Sequence, residues 1–274
     1  MSACQSPPEY EVYALRYGGV NIPGSYATIL EDPNDPHTAQ RRLDYFVWLI
    51  RGNGRNIMVD CGFDHECGAK RGRKIDRLPD EAIAAIGTKA EDIDTVIVTH
   101  LHYDHAGNFG LFPNAEFLIQ DKEVAFATSR YMRYPAVRRP YEADHVCDLI
   151  QLNFKERVRY IDGDEEIAPG ITVHLLPGHS HGQMSVQVNT KRGRVFVASD
   201  CAHFYDNVWK RNPFSILQHI PEYCDSHDKM IRMAESPDHI VPGHDPLVMD
   251  YYPRHPDDPE TCDLTVPPSQ PIGP

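Results

Sequence analysis

The sequence lacks the features of several protein classes. No stretch of its 274 residues approaches about 18 uninterrupted apolar residues, so we expect no membrane span. Basic residues are outnumbered, with 27 Lys+Arg against 40 Asp+Glu, and the net charge of −13 argues against a general nucleic-acid binder. The N-terminus has no basic region followed by an apolar run, which predicts no signal peptide and a cytoplasmic location.

The cysteines also lack the patterns typical of disulfide frameworks and of cysteine-based zinc sites. The seven cysteines are an odd number in a chain without an export signal, which predicts reduced thiols rather than disulfides. None of them forms a CxxC pair, so we expect no cysteine-based zinc site. Hydrophobic residues make up 41% of the chain, which is enough for a real core. Histidine is the informative residue, because there are 15 and they are unevenly spread.

Short apolar strands alternate with helical segments along the chain, which favours an α/β layered fold. Gly52-Asn53-Gly54 lies between two apolar runs and predicts a β-hairpin. Proline near the start favours two of the helices. The predicted elements are strands at 10–17, 45–50, 56–60, 95–99, 171–176, 195–199 and 239–241, helices at 79–86, 221–235 and across most of 121–160, and a loop at 31–37.

The last 22 residues, 253–274, include seven prolines. Proline cannot donate to a sheet ladder or continue a helix, so we expect neither a helix nor a central strand there. We interpret this segment as an extended arm that follows a hydrolase domain at 1–252 and packs either on the body of the protein or on a partner. Such an arm could embrace a second copy of the chain in a homodimer.

A dense group of metal-binding side chains follows the strand at 95–99. Residues 100–105 read His-Leu-His-Tyr-Asp-His, so three imidazoles and a carboxylate lie within six residues. Because side chains repeat every two residues in an extended segment, His100 and His102 point to the same side. Asp104 and His105 follow at the turn and can face a second centre nearby. Neutral imidazole and carboxylate suit zinc, iron, manganese or cobalt.

Three more donor residues stand where later strands end. His179, Asp200 and His244 each follow an apolar strand. A carboxylate such as Asp200 can bridge two metals through its two oxygens. A single His-x-His pair often occurs by chance, but the full set predicts a metal site. Cys201 follows Asp200 directly, and we interpret it as a packing residue because the His/Asp set is already complete.

Five motifs spread over residues 40–250 form one pattern: NIMVDCGFD with Asp60, THLHYDHAGN with His100 to His105, LLPGHSHGQMS with His179, VFVASD with Asp200, and VPGHD with His244. In this pattern the sequence resembles the metallo-β-lactamase-fold hydrolases, and within them most closely the N-acyl-homoserine lactonase group. The resemblance implies a four-layer αββα sandwich of the α/β class, with a dinuclear metal site at one edge of its two sheets.

The resemblance also implies the ligand set and the cofactors. Two divalent metal ions are expected per chain, zinc first, with iron, manganese and cobalt as alternatives. The resemblance assigns one metal to His100, His102 and His179, and the other metal to Asp104, His105 and His244. Asp200 is expected to bridge the two metals. Asp60 is expected to be a buried carboxylate that holds the geometry of the loop without binding metal.

The implied reaction is hydrolysis of a lactone, an N-acyl-homoserine lactone being the family's substrate. Two metals about 3.5–4 Å apart would lower the pKa of bound water to about 7, and the expected nucleophile toward the ester carbonyl is a metal-bridging hydroxide. Asp104 is expected to shuttle the proton. A thioester, amide or phosphodiester is the alternative bond, although the acidic charge disfavours the phosphodiester. The expected partner is a small-molecule substrate.

One position departs from the family pattern. The family usually has a tyrosine three residues after the bridging aspartate, whereas this chain has His203. Either His203 or Tyr205 is therefore expected to hydrogen-bond the substrate carbonyl. Phe214 either walls the pocket or covers the core. His181 either supports the ligands or is a plain loop residue, and His227 is expected at the surface.

Overall fold

In the computed structural model, which describes residues 6–30 and 40–272, two β-sheets pack face to face. The first sheet has nine strands in the order β13-β14-β1-β2-β3-β5-β6-β7, with β4 paired to β1, and the second has five in the order β12-β11-β10-β9-β8. The predicted loop at 31–37 lies outside the described residues. The strands are β1 Glu11–Pro23, β2 Gln40–Gly52, β3 Arg55–Val59, β4 Lys74–Ile75, β5 Thr95–Ile97, β6 Glu116–Gln120, β7 Val158–Ile161, β8 Glu165–Ala168, β9 Ile171–Leu175, β10 Met184–Thr190, β11 Gly193–Ser199, β12 Ile240–Pro242, β13 Arg254–His255 and β14 Asp258–Asp263.

Helices cover the outer faces of both sheets. Within the described ranges no helix is both long and apolar enough to cross a bilayer. The predicted helical region 121–160 contains three helices, and its last residues belong instead to β7. The α-helices are α1 Gly24–Ala27, α2 His65–Arg71, α3 Pro79–Ala84, α4 Asp121–Ala127, α5 Pro135–Arg138, α6 Ala143–Phe154, α7 Tyr205–Trp209, α8 Ile220–Met233 and α9 Leu247–Tyr251.

The alternation of side chains along the strands builds the layers. In β2, Phe46 and Trp48 face the second sheet, whereas Val47 and Leu49 face the helices on the other side. Successive strand residues point to opposite faces, so one strand supplies two cores. The second sheet does the same, since Phe196 packs against the α8 side. The order is helices, sheet, sheet, helices, which confirms the predicted αββα sandwich.

Strand direction brings the chemically important loops to one edge of the sandwich. Strands β3, β5 and β6 run parallel, and so do β11 and β12. Strand β9 has the direction of β11, because β10 is antiparallel to both. The carboxyl ends of β3 and β5 in the first sheet, and of β9, β11 and β12 in the second, therefore carry the predicted metal ligands and Asp60.

The prediction that the proline-rich segment contributes no central strand was wrong. Strand β14 lies between β13 and β1 in the first sheet. Residues 261–263 pair with β1, and this short stretch contains no proline. Pro259 falls where the β13–β14 register is irregular, so the missing N–H disturbs no regular ladder. The segment packs on the body, which is one of the two places left open for the predicted arm, and the domain boundary at residue 252 stays a prediction.

His227 was predicted at the surface, and this was wrong. It lies on the inner face of α8, where 7% of it is exposed and Nε2 donates to the carbonyl of Cys201. Burial lowers the pKa of His227 to about 4, although the carbonyl partner raises it. The folded protein therefore holds this imidazole neutral at a pH where the unfolded chain protonates it.

We expect His227 to destabilise the fold as the pH falls from about 6.5 to 4. In that window the unfolded chain gains a proton that the folded chain does not, which costs about 3 kcal/mol at pH 4. His227→Gln keeps a hydrogen-bond donor for the carbonyl. Between pH 7 and pH 4 its free energy of unfolding should fall by about 3 kcal/mol less than that of the wild type. Urea unfolding at several pH values measures this. The exposed His219→Gln is the control, and a His227→Gln profile parallel to the wild type would refute the expectation.

Candidate metal centre

Asp200 stands at the centre of the predicted ligands and offers a different oxygen to each group. Its Oδ2 lies 3.1 Å from Nε2 of His179 and 3.7 Å from Nε2 of His100. Its Oδ1 lies 3.0 Å from Nε2 of His244 and 3.3 Å from Nε2 of His105. The carboxylate therefore sits between two sets of imidazoles, as a bridging ligand would.

The remaining two donors complete these sets. The ligand atoms of His100, His102 and His179 lie within 4.8 Å of one another, and so do those of Asp104, His105 and His244. The five histidines of these sets and Asp200 are almost entirely buried, whereas the Asp104 side chain keeps 13% of its surface exposed. Asp104 is thus the donor that borders the solvent.

The unpaired atoms of the cluster fit a metal. Within the described residues, Nε2 of His102, Nε2 of His105 and Oδ1 of Asp200 are buried without a hydrogen-bond partner. Buried polar atoms without partners are costly and rare in folded proteins. Each of the three atoms can donate a lone pair and belongs to a residue of one of the candidate ligand groups, so coordination to divalent ions would satisfy them.

Asp60 holds the loop that carries the His-x-His-x-Asp-His motif, as the resemblance implied. It is fully buried at the end of β3, with the backbone in a left-handed conformation (φ 64°). Its oxygens accept from the backbone N–H of Thr99 at 2.8 Å and from the Thr99 hydroxyl at 2.9 Å. Nδ1 of His105 lies 2.7 Å away. A carboxylate there fixes the ring so that Nε2 faces the cluster.

Backbone carbonyls orient two further imidazoles in the same way. Nδ1 of His179 donates to the carbonyl of Ile216 at 2.7 Å, and Nδ1 of His244 donates to the carbonyl of Asp44 at 2.8 Å. Each bond leaves Nε2 free as a lone-pair donor. Asp44 itself is buried and paired with Arg42, so the strand that presents this carbonyl is anchored.

The protonation states of His100, His102 and Asp200 suit metal binding. Burial holds the pKa of His100 and of His102 well below the usual range, and neighbouring imidazoles lower it further. Burial by itself would raise the pKa of Asp200, but the imidazoles of His244 and His105 hold it well below the ordinary value. Neutral imidazole and ionised carboxylate are the forms that bind metal. Burial alone would lower the pKa of His105 and of His244, but Asp200 and the other nearby carboxylates raise it, so these two rings must release a proton when metal binds.

Glu123 is a buried carboxylate that the sequence did not reveal. It lies in the first turn of α4 and is fully buried. One oxygen accepts from the N–H of Leu101 at 2.9 Å, and the other accepts from the N–H of Gly182 at 2.9 Å. The Tyr141 hydroxyl donates to it at 3.3 Å. Glu123 thus ties the His100–His105 loop to the loop of His179. In the sequence it looks like any acidic residue at a helix start.

The structure separates the two residues predicted to contact the substrate carbonyl. His203 lies at the cluster, with Nε2 2.8 Å from Oδ2 of Asp200. Tyr205 begins α7 and packs into the core between the sheets, with its ring centroid 5.5 Å from that of Tyr251. The prediction of a catalytic Tyr205 was therefore wrong, because the helix start turns its side chain into the core.

The residues left open at the sequence level have defined places. Phe214 is fully buried and stacks on His203, so it packs directly against the cluster. His181 is exposed and stacks on Phe126 with centroids 4.0 Å apart. Cys201 is fully buried in a small core under α8, as its packing interpretation predicted.

Two sheets with His/Asp ligand sets at their strand ends are the architecture of a metal-dependent hydrolase. The comparisons give the same class. The chain belongs to the metallo-beta-lactamase superfamily, whose family model matches residues 41–249. This confirms the predicted fold and enzyme class.

Two proteins similar to this chain are named as lactonases. An N-acyl homoserine lactonase of Bacillus cereus is 35% identical over 199 residues, which cover 66% of this chain and 74% of that protein. N-acyl homoserine lactonase AiiA of Bacillus thuringiensis subsp. kurstaki is 32% identical over 201 residues, with the same coverage of 66% and 74%. The predicted resemblance to this group is confirmed.

A solved structure agrees in fold. It is described as an N-acyl homoserine lactone hydrolase with the product N-hexanoyl-L-homoserine bound at the catalytic metal center. The TM-score is 0.70 at 22% identity, and the match covers 88% of this chain and 95% of that one. At this identity the likeness concerns the fold.

Proposed function

We propose that this chain is a two-metal lactonase that opens a lactone ring, with an N-acyl-homoserine lactone as the first candidate substrate. The observation that carries the proposal is Asp200, whose two oxygens face two separate imidazole sets. The lactonase names of the relatives supply the bond class. A small-molecule substrate is implied, while a homodimer and a cytoplasmic location stay predictions.

Two ligand sets would hold the ions. When bound, divalent metals polarise an ester carbonyl and lower the pKa of water to about 7, which supplies a nucleophile at neutral pH. Zinc is the first expectation, and iron, manganese or cobalt suit the same donors. The proposed sets are His100, His102 and His179 with Oδ2 of Asp200, and Asp104, His105 and His244 with Oδ1 of Asp200.

The chain's own groups have separate roles in the proposed reaction. Asp104 has partial access to solvent, and its two oxygens lie 3.9 Å from Nε2 of His105 and of His244. A carboxylate so placed can hold the proton that the leaving alkoxide takes. His203 is the proposed donor to the substrate carbonyl oxygen, through Nδ1, because its Nε2 faces Asp200. A well-placed donor of this kind contributes about 2.7–4 kcal/mol.

We expect turnover that depends on about two metal equivalents per chain. The purified chain should be offered γ-lactones with and without acyl tails, a thioester, a cephalosporin and bis-p-nitrophenyl phosphate. Lactone opening should dominate, a strong chelator should abolish it, and added zinc should restore it. Elemental analysis and titration of released acid measure both quantities. Clear turnover of another bond class without lactone opening would reject the proposal.

A further inference from the structure

His203 approaches the oxygen of Asp200 that faces the His100 side of the cluster. Its Nε2 is 2.8 Å from Oδ2, and Nε2 of His179 is 3.1 Å from the same oxygen. The ligand atoms of His179, Asp200 and His203 all lie within 4.8 Å of one another. The group of His100, His102 and His179 meets the same spacing, so His203 lies as close to His179 and Asp200 as the expected ligands lie to one another.

The ring of His203 is held in this orientation. It stacks parallel on Phe214, with centroids 3.5 Å apart and planes 7° apart, and only 4% of the residue is exposed. Phe214 also packs edge-on against His179, with centroids 5.2 Å apart. The carbonyl of His203 accepts from the N–H of His244 at 3.0 Å. Side chain and backbone are therefore both tied to predicted ligands, and rotating the ring away would break the stack.

We propose that Nε2 of His203 is a further metal ligand, on the side that holds His100, His102 and His179. This inference rests on the proposed function, because it requires metal at that side. Ligation through Nε2 leaves the ring proton on Nδ1, so the same residue holds the ion and presents a donor to substrate. One side of the centre then has four imidazoles, whereas the other has two imidazoles and Asp104.

The competing role for His203 is a hydrogen bond from Nε2–H to Asp200 without metal contact. The two roles differ in what a glutamine can replace. The side-chain amide of glutamine has N–H donors and can restore a hydrogen bond, but it is a poor ligand for the metals that imidazole prefers. His203→Gln beside His203→Ala therefore separates ligation from support.

The test uses the full chain loaded with cobalt(II). Proton NMR counts the paramagnetically shifted N–H signals of ligating imidazoles, and chelator competition measures cobalt affinity. Both His203 variants should lose one N–H signal. Their affinity for the ion on the side of His100, His102 and His179 should fall more than about 100-fold, since loss of an outer contact alone costs about 10–100-fold. The control is His181→Ala, an exposed histidine near the same loop, which should match the wild type.

Either His203 variant with the wild-type N–H count overturns the inference. So does a His203→Gln variant with wild-type affinity, because an amide then suffices. Circular dichroism of both variants confirms that each is folded before the counts are compared. A wild-type chain that binds no cobalt would overturn the proposed function as well, whereas unchanged variants of a two-cobalt wild type overturn this inference alone.

Discussion

Asp200→Ala is expected to remove metal from both sides of the cluster and to lower turnover by at least about 10⁴-fold, which is about 5 kcal/mol of activation free energy. The carboxylate lies within 3.0–3.7 Å of four imidazole nitrogens and serves each side through a different oxygen. Without it the set of His100, His102 and His179 has no anionic ligand, the other set keeps only Asp104, and nothing bridges the two. Elemental analysis and lactone turnover measure the two losses.

Asp200→Asn sharpens this prediction. The amide keeps one oxygen, so it can serve one ligand set but not both, and we expect about one metal equivalent instead of two. Asp164→Ala is the matched control, because Asp164 also pairs with a histidine, His174 at 3.0 Å, but lies outside the cluster. Full metal content in Asp200→Ala would show that this carboxylate does not bridge.

Glu123→Ala is expected to destabilise the fold by about 2–6 kcal/mol. It leaves the N–H groups of Leu101 and Gly182 without their acceptor, and each unsatisfied buried donor costs about 1–3 kcal/mol. Metal affinity should fall about 10–100-fold, because the two ligand loops lose their shared anchor. Urea unfolding of the metal-free chain and chelator competition measure the two effects separately.

Two variants control the Glu123 experiment. Glu123→Gln keeps the volume and one acceptor oxygen, so it should fall between the wild type and Glu123→Ala. Asp121→Ala removes an exposed acid from the same helix turn and should change neither quantity. If Glu123→Ala unfolds at the same urea concentration as Asp121→Ala, Glu123 does not anchor the loops.

The sequence predicted the features that depend on local pattern. Apolar runs located the strands that end at His100, His179, Asp200 and His244, and the parallel direction of these strands explains why their ends meet. The metal ligands at these strand ends follow from strand periodicity and from donor chemistry, which consecutive residues reveal. The role of Asp60 was instead implied by the resemblance to the lactonase group.

The features that failed depend on contacts between distant segments. Glu123 is defined by two N–H groups from different loops, 22 and 59 residues away, which nothing near it in the sequence announces. Tyr205 lies two residues after His203, and only the start of α7 decides that one faces the cluster and the other the core. Strand β14 was not predicted because the proline-rich composition of the segment argued against any strand, although the short proline-free stretch within it pairs with β1.

The ligands come from both sheets, since the His100–His105 motif follows β5 of the first sheet and the other three donors follow strands of the second. Bound ions would therefore link the two sheets of the sandwich. By mass action, free metal at 100 times its dissociation constant would add about 2.7 kcal/mol to the free energy of unfolding. The metal supply of the cell would thus set the lifetime of the molecule as well as its activity.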